Sequence, residues 1–147
     1  MRCESAKETL PPANLGEPYP SYASTVDADG NELAGIRLPD LTVPVATNTG
    51  WVSRHPDMGG FGQVLDMMGS SLPFAALDAE RAEQNDPRPS IAERYRDRDD
   101  YADRVREAAQ KLAAQRYIVE DDVDVVVELA LERYDLFARQ PAGVAMN

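Results

Sequence analysis

One histidine, a serine pair behind a glycine, and a short acidic run are the residues of this chain whose types and spacing could support chemistry. His55 is the only histidine. In Arg54-His55-Pro56-Asp57 an imidazole stands two residues from a carboxylate that could orient it as a general base. Such a base needs a nucleophile held within hydrogen-bond reach, and spacing identifies none. His55 is the one catalytic candidate, and a loop histidine with a local hydrogen bond is the simpler reading. Gly69-Ser70-Ser71-Leu72-Pro73 half-matches the Gly-x-Ser-x-Gly nucleophile elbow, in which a strand turns tightly into a helix and exposes the serine. Pro73 stands where the elbow needs glycine, and no convincing strand precedes it. A helix end or a turn is expected at 69–73 instead.

Asp27, Asp29 and Asn31 have the alternation of a calcium loop. Gly30, however, is misplaced, and Leu38 stands at the twelfth position, where a glutamate belongs. A hairpin turn accounts for them. Cys3 is the only cysteine, which excludes an internal disulfide and a paired-cysteine metal site. No metal and no cofactor is expected. The glycines at 59, 60 and 62 follow no strong strand and precede no Lys-Ser/Thr, so they form no phosphate cradle.

The elements that would carry these residues differ between the two halves. Eight of the eleven prolines and eight of the nine glycines lie in residues 1–73, where they break helices. Pro11, Pro12, Pro18 and Pro20 mark residues 1–20 as a linker. Residues 21–73 read as an extended arm with short strands at Tyr22–Val26 and Leu33–Leu38 around a turn at Asp27–Asn31. A further extended piece is Leu41–Thr47, an edge strand or no strand because Pro44 cannot donate to a ladder. Residues 49–62 form a loop.

Residues 74–140 read as helical. Ser90-Ile91-Ala92-Glu93 after Pro89 fits a capping box. A second helix is expected from Arg98 to Arg116, with Tyr101, Val105, Ala108, Leu112 and Ala113 on one face and the pairs Asp100–Arg104 and Glu107–Lys111 toward solvent. A third runs from Asp122 to Phe137, striped by Val123, Val126, Val127, Ala130, Tyr134 and Phe137. Its first turn gathers Glu120, Asp121 and Asp122, where the helix dipole favours acids. The short Ile118-Val119 link implies antiparallel packing of these two helices, and Pro141 with Gly143 marks the end. The segment from Asp86 to Tyr95 is a proline-framed helix start, or a docking segment with Arg88 or Arg94 in an ion pair.

The fold class is thus mixed and mainly α: a Pro/Gly-rich arm with short strands, then about three helices, all in one partial domain spanning 1–147. The net charge is −11. Residues 1–75 hold nine acids against four Lys and Arg, and residues 76–147 hold seventeen against eleven, excesses of five and six. No basic face exists for nucleic acid, and an anionic membrane would repel the chain. With no apolar run of about 20 residues and no signal peptide, a cytoplasmic location is expected.

The run VDADGNELAGIRLPDLTVPVATNTGWVSRHPDMGG at 26–60 resembles a tract of large "alpha/beta hydrolase domain" proteins, a family met mostly in bacteria. MGSSLPFAALDAER at 68–81, NDPRPSIAERYRDRDDYADRV at 85–105 and RYIVEDDVDVVVELALERYD at 116–135 resemble its continuation in the same order. The resemblance implies serine hydrolases of esterase type whose nucleophile elbow and catalytic histidine lie upstream of the matched region. No triad residue carries over to this chain. It further implies a C-terminal segment whose arm wraps a hydrolase body, with residues 90–137 as covering helices and Trp51 as a lining residue of the substrate pocket. The expected partner is the remainder of that hydrolase, from the same gene or a separate subunit, and the isolated chain is expected to be inactive. The alternative is a small non-enzymatic helical protein that binds an unknown partner.

Overall fold

The structure, a computed structural model, describes Tyr22, residues 24–55, Asp57, residues 64–65 and residues 68–138. Cys3, the linker prolines, the glycines at 59, 60 and 62, and the Pro141 and Gly143 end signals lie outside the described residues.

The turn at Asp27–Asn31 forms as its composition dictates. The Gly30 amide donates to the Asp27 carbonyl at 3.0 Å and the Asp27 amide to the Asn31 carbonyl at 2.8 Å. The Asp27 carboxylate accepts from the amides of Asp29 and Asn31, both at 3.0 Å, the local capping that favours Asp in turns. Gly30 has φ +79°, and an added Cβ would come within 2.9 Å of Thr47, so glycine is required for both angle and space. The flanking strands do not extend. Among the described residues only Val26 and Glu32 form an antiparallel bridge there, and Leu33–Leu38 is not a strand, because Gly35 takes φ +79° and ends the extended run.

The expected extended piece at Leu41–Thr47 divides in two. Pro39–Thr42 is a single helical turn, α1. Pro39 at its first position has the fixed φ that starts a helix and needs no N–H there, and Asp40 adds an acid to the first turn. Strand β1 then spans Ala46–Thr49, beginning beyond Pro44. It pairs antiparallel with β4, Ser70–Pro73, in the register Ala46 to Pro73 through Thr49 to Ser70. The expected turn or helix end at 69–73 is therefore a strand. Phe74 donates its amide to Val45 at 3.0 Å, so the alternating ladder bonds pass over Pro73, whose missing donor is not needed. Gly69 permits the approach, since a Cβ there would meet the Thr49 carbonyl oxygen at 2.6 Å. Between them, β2 (Val52–Ser53), inside the stretch read as loop, pairs with β3 (Val64–Leu65) just beyond it.

The helices follow their expected signals with small shifts. An additional helix, α2, spans Asp78–Gln84 and ends on Asn85 in the left-handed conformation. The α3 helix, Ile91–Arg94, carries the full capping box: the Ser90 hydroxyl accepts from the Glu93 amide at 3.1 Å and the Ser90 amide donates to the Glu93 carboxylate at 2.7 Å. The α4 helix spans Arg98–Ala114 and buries Tyr101, Val105, Ala109 and Leu112. Ala109, not Ala108, faces the core. A 3-10 turn at Glu120–Asp122 leads into α5, Val123–Ala138. Arg98 at the start of α4 pairs with Asp135 near the end of α5 at 3.0 Å, and Arg106 with Asp124 at 2.5 Å, so the two helices run antiparallel.

The core joins both halves. Val45 and Phe74, flanking the β1–β4 pair, meet Ile91, Tyr95, Tyr101, Val105, Val127 and Ala130 of the helical half. Tyr95 and Tyr101 touch edge-to-face at 4.9 Å, and Tyr134 stacks on Tyr101 at 4.9 Å, geometries that aromatic quadrupoles favour.

Candidate functional site

The residues singled out for hydrolytic chemistry are not brought together. The His55 side chain is 64% exposed and that of Asp57 is 89% exposed. The Asp57 amide donates to His55 Nδ1 at 3.3 Å, and an Asp57 carboxylate oxygen lies 3.5 Å from the same nitrogen. This pair is local and wet. The Ser71 hydroxyl donates to the Asn48 side chain at 2.7 Å, and the Ser70 amide donates to the Thr49 hydroxyl at 3.2 Å. Among the described residues, no serine hydroxyl is hydrogen-bonded to His55. Trp51 is half-buried in the connection from β1 to β2, its carbonyl accepting from the Thr49 hydroxyl at 2.6 Å.

Asp27, Asp29 and Asn31 turn inward, and among the described residues no group of acids, His or Cys is arranged to hold a metal. Asp27 pairs with Arg37 at 2.6 Å, and the same guanidinium nitrogen donates to the Leu41 carbonyl at 2.7 Å. Asp29 forms a bidentate pair with Arg94 of α3, 65 residues away. Asn31 is fully buried. Its side chain donates to the Ala46 carbonyl at 3.2 Å and accepts from the Asn48 amide at 2.7 Å, which is how a neighbouring strand would pair with β1. The Thr47 hydroxyl donates to the Asp29 carbonyl and accepts from Arg88 at 2.8 Å. Arg88 also pairs with Asp86 at 2.6 Å. Both arginines of the proline-framed segment are therefore ion-paired within the chain, and they flank the Phe74 ring at 5.0 and 4.3 Å.

The electrostatics fit this wiring. Burial pushes the Asp27 carboxyl up, but the amides of Asn31 and Asp29 and the Arg37 guanidinium outweigh it and hold the group below the usual carboxylate range. The hydrogen bond from Arg88 does the same for Asp86. Burial pushes the Tyr95 hydroxyl up to about 12, and that hydroxyl donates to the Pro44 carbonyl at 2.9 Å.

Beside the network lie two adjoining clefts. One, of about 410 Å³, is lined by Asp27, Asp29, Arg94 and Tyr95 together with Arg37, Thr42, Val43 and Arg104. The other, of about 580 Å³, shares the last four and extends along α4 past Ala108, Lys111 and Leu112 to Tyr117. Neither includes His55, Trp51 or the serine pair. Among the described residues that line these clefts, none is a serine, cysteine or histidine. Sequence reasoning missed Arg37, and it read Asn31 only as a turn residue and Arg104 only as a solvent-side partner of Asp100. The available signal was an Asp-rich turn with a basic residue ten positions on, a spacing with no local rule behind it.

A family model described as "Alpha/beta hydrolase domain" matches residues 4–128, most of the chain. No curated protein and no solved structure matches.

Proposed function

The chain belongs to the alpha/beta hydrolase domain family, and from that premise we propose that it is a non-catalytic segment of an ester- or acyl-hydrolase-type protein, packing on a body that carries nucleophile and base. One observation carries the reading: α5 is apolar on two faces. Val123, Val127 and Ala130 are buried against the chain's own core. Val125, Leu129 and Leu136 stay about half exposed, at 51%, 49% and 58%. At about 100° per residue, Leu129 and Leu136 fall within about 40° of Val125. They form one outward stripe, interrupted by Glu132. A second apolar stripe, opposite the one that faces the core, is surface of the kind that partners cover. Leu33, Ile36, Leu38, Tyr117 and Val119 add half-exposed apolar surface. A hydrolase body seated on such surface would cover it, and the body would supply the serine, the histidine and the oxyanion donors of acyl transfer.

The internal core linking both halves favours a second reading, a small interaction protein that folds alone and binds its partner through the same stripe. Two measurements separate these readings and test the first. The isolated chain is expected to leave p-nitrophenyl butyrate unhydrolysed above buffer and to bind a hydrophobic dye, with binding reduced by Val125→Glu and Leu129→Glu. Turnover lost on His55→Ala or Ser70→Ala would overturn the non-catalytic reading. The DNA just upstream of Met1 decides between the two partners: an open frame encoding Gly-x-Ser-x-Gly and a later histidine points to a hydrolase body, and a ribosome site directly before Met1 points to the interaction protein.

A further inference from the structure

We propose that the larger cleft, between α4 and the segment 35–43, binds an amphipathic monocarboxylate, with the acid head at Arg37, Arg104 and Lys111 and the apolar tail against Val43, Ala108 and Leu112. The site is built wholly by this chain and does not depend on the hydrolase reading.

Charge is the first argument. In a chain of net charge −11, this cleft is lined by three cations, Arg37, Arg104 and Lys111, and one anion, Glu107. The lining is thus richer in cations than the chain as a whole, although Asp27 and Asp100 stand just outside it as partners of Arg37 and Arg104. Donor supply is the second argument. Arg37 uses the same terminal nitrogen for both Asp27 and the Leu41 carbonyl, which leaves its other terminal nitrogen for a ligand. Arg104 gives one nitrogen to Asp100 at 3.0 Å and rests over the Tyr95 ring at 5.5 Å. Lys111 is held only by an exposed pair with Glu107 at 2.8 Å, an interaction of little strength that a ligand can displace. Each cation already faces a carboxylate, so the residual field is small. It suits a singly charged head better than a dianion.

Shape and polarity give the third argument. A volume of about 580 Å³ lies in the range of small-molecule sites, and polar and apolar groups line it about equally, as an amphipathic ligand requires. Ile36 and Tyr117 line the same cleft and are 54% and 55% exposed, apolar surface that a short acyl tail would cover.

The experiment is a titration of the nitrogen-15-labelled 147-residue chain with octanoate, octanol and octyltrimethylammonium, followed by amide NMR. Octanoate is expected to give saturable shifts at Arg37, Val43, Arg104 and Leu112. The alcohol should bind about tenfold or more weakly, the weight of a charge-assisted hydrogen bond, and the cation not at all. Arg104→Gln should weaken octanoate by a similar factor while leaving octanol unchanged. Ala108→Phe, a half-buried cleft position outside the core, should abolish binding of both while the far-ultraviolet dichroism stays native. Absence of saturable shifts would overturn the proposal, as would equal affinity for alcohol and acid. Shifts confined to the outer face of α5 would overturn it too, since they would mark general adhesion to apolar surface.

Discussion

The arm from Thr25 to Pro73 and the helices from Asp78 to Ala138 are held by different forces. In the helical half, Tyr101, Val105, Val127 and Ala130 vanish from solvent, and apolar burial does the holding. In the arm, strands of two to four residues cannot bury enough surface. Their place is fixed by individual polar side chains: Asn31 against the edge of β1, Thr47 between Asp29 and Arg88, and Arg94 reaching back to Asp29. Burial is non-directional and shared among many atoms, so it tolerates small shifts. A buried hydrogen bond is directional, and its loss leaves a group unpaired. The arm therefore depends on single residues in a way the helices do not.

The comparison breaks most visibly at Tyr101. It is 1% exposed and touches two other rings, and Tyr101→Ala is expected to cost about 3–5 kcal/mol. That is a large part of the roughly 5–15 kcal/mol available to a domain. Urea denaturation followed by dichroism measures it, and a loss below about 1 kcal/mol would show that the helical core is not the main support. Asn31→Ala comes next, at about 1–3 kcal/mol for the unpaired Ala46 and Asn48 groups. Hydrogen exchange at the Asn48 amide should accelerate while amides within α4 keep their protection. Equal acceleration in both would mean that the arm and the helices are not distinct.

A pH series sharpens the same contrast. The folded pKa of Asp27 is lowered, so its contribution is present above the unfolded value of about 3.9 and is lost as pH falls through the lower folded value. That of Tyr95 is raised to about 12, so its contribution is whole below about 10 and is lost as pH climbs through about 12. Acid should therefore release the arm first, and alkali should attack the core. Trp51, the single tryptophan, reports the arm by fluorescence, and dichroism reports the helices. The acid change in fluorescence is expected to precede the loss of helix.

How far the sequence discloses these parts depends on how local the code is. The capping box at Ser90 and Glu93 spans three positions, and the α4 and α5 faces recur every three to four, so all were legible. Pro39-Asp40 was an available start signal for α1, but the apolar letters of Leu41, Val43 and Val45 outweighed it in the reading as an extended piece. The Asn31 amide against β1 and the Arg94–Asp29 pair join residues 15 to 65 positions apart, and no periodicity encodes such contacts. The stripe of Val125, Leu129 and Leu136 was hidden by the stronger one beside it. Attention at the sequence level went to His55, whose rarity marks it. The cleft cations Arg37 and Arg104 are two among many arginines until folding brings them together.

The smallest expected effect tests whether the two regions are joined as well as different. Ser90 is fully buried at their seam. Its hydroxyl donates to the Asp78 carboxylate at 2.6 Å and accepts from the Glu93 amide. The next two amides, of Ile91 and Ala92, donate to the carbonyls of Ala75 and Ala76 at 2.8 and 3.1 Å. Ser90→Ala removes the cap at a cost of about 0.5–2 kcal/mol. Ser90→Thr keeps the hydroxyl but adds a methyl group where no space is open, so it should not restore full stability. Because Ser90 and the amides after it tie α2 and α3 to the connection that leaves β4, the loss should lower the fluorescence and dichroism midpoints together. If the alanine variant splits them, with Trp51 released before the helices melt, the seam does not transmit stability, and arm and helices unfold as separate units.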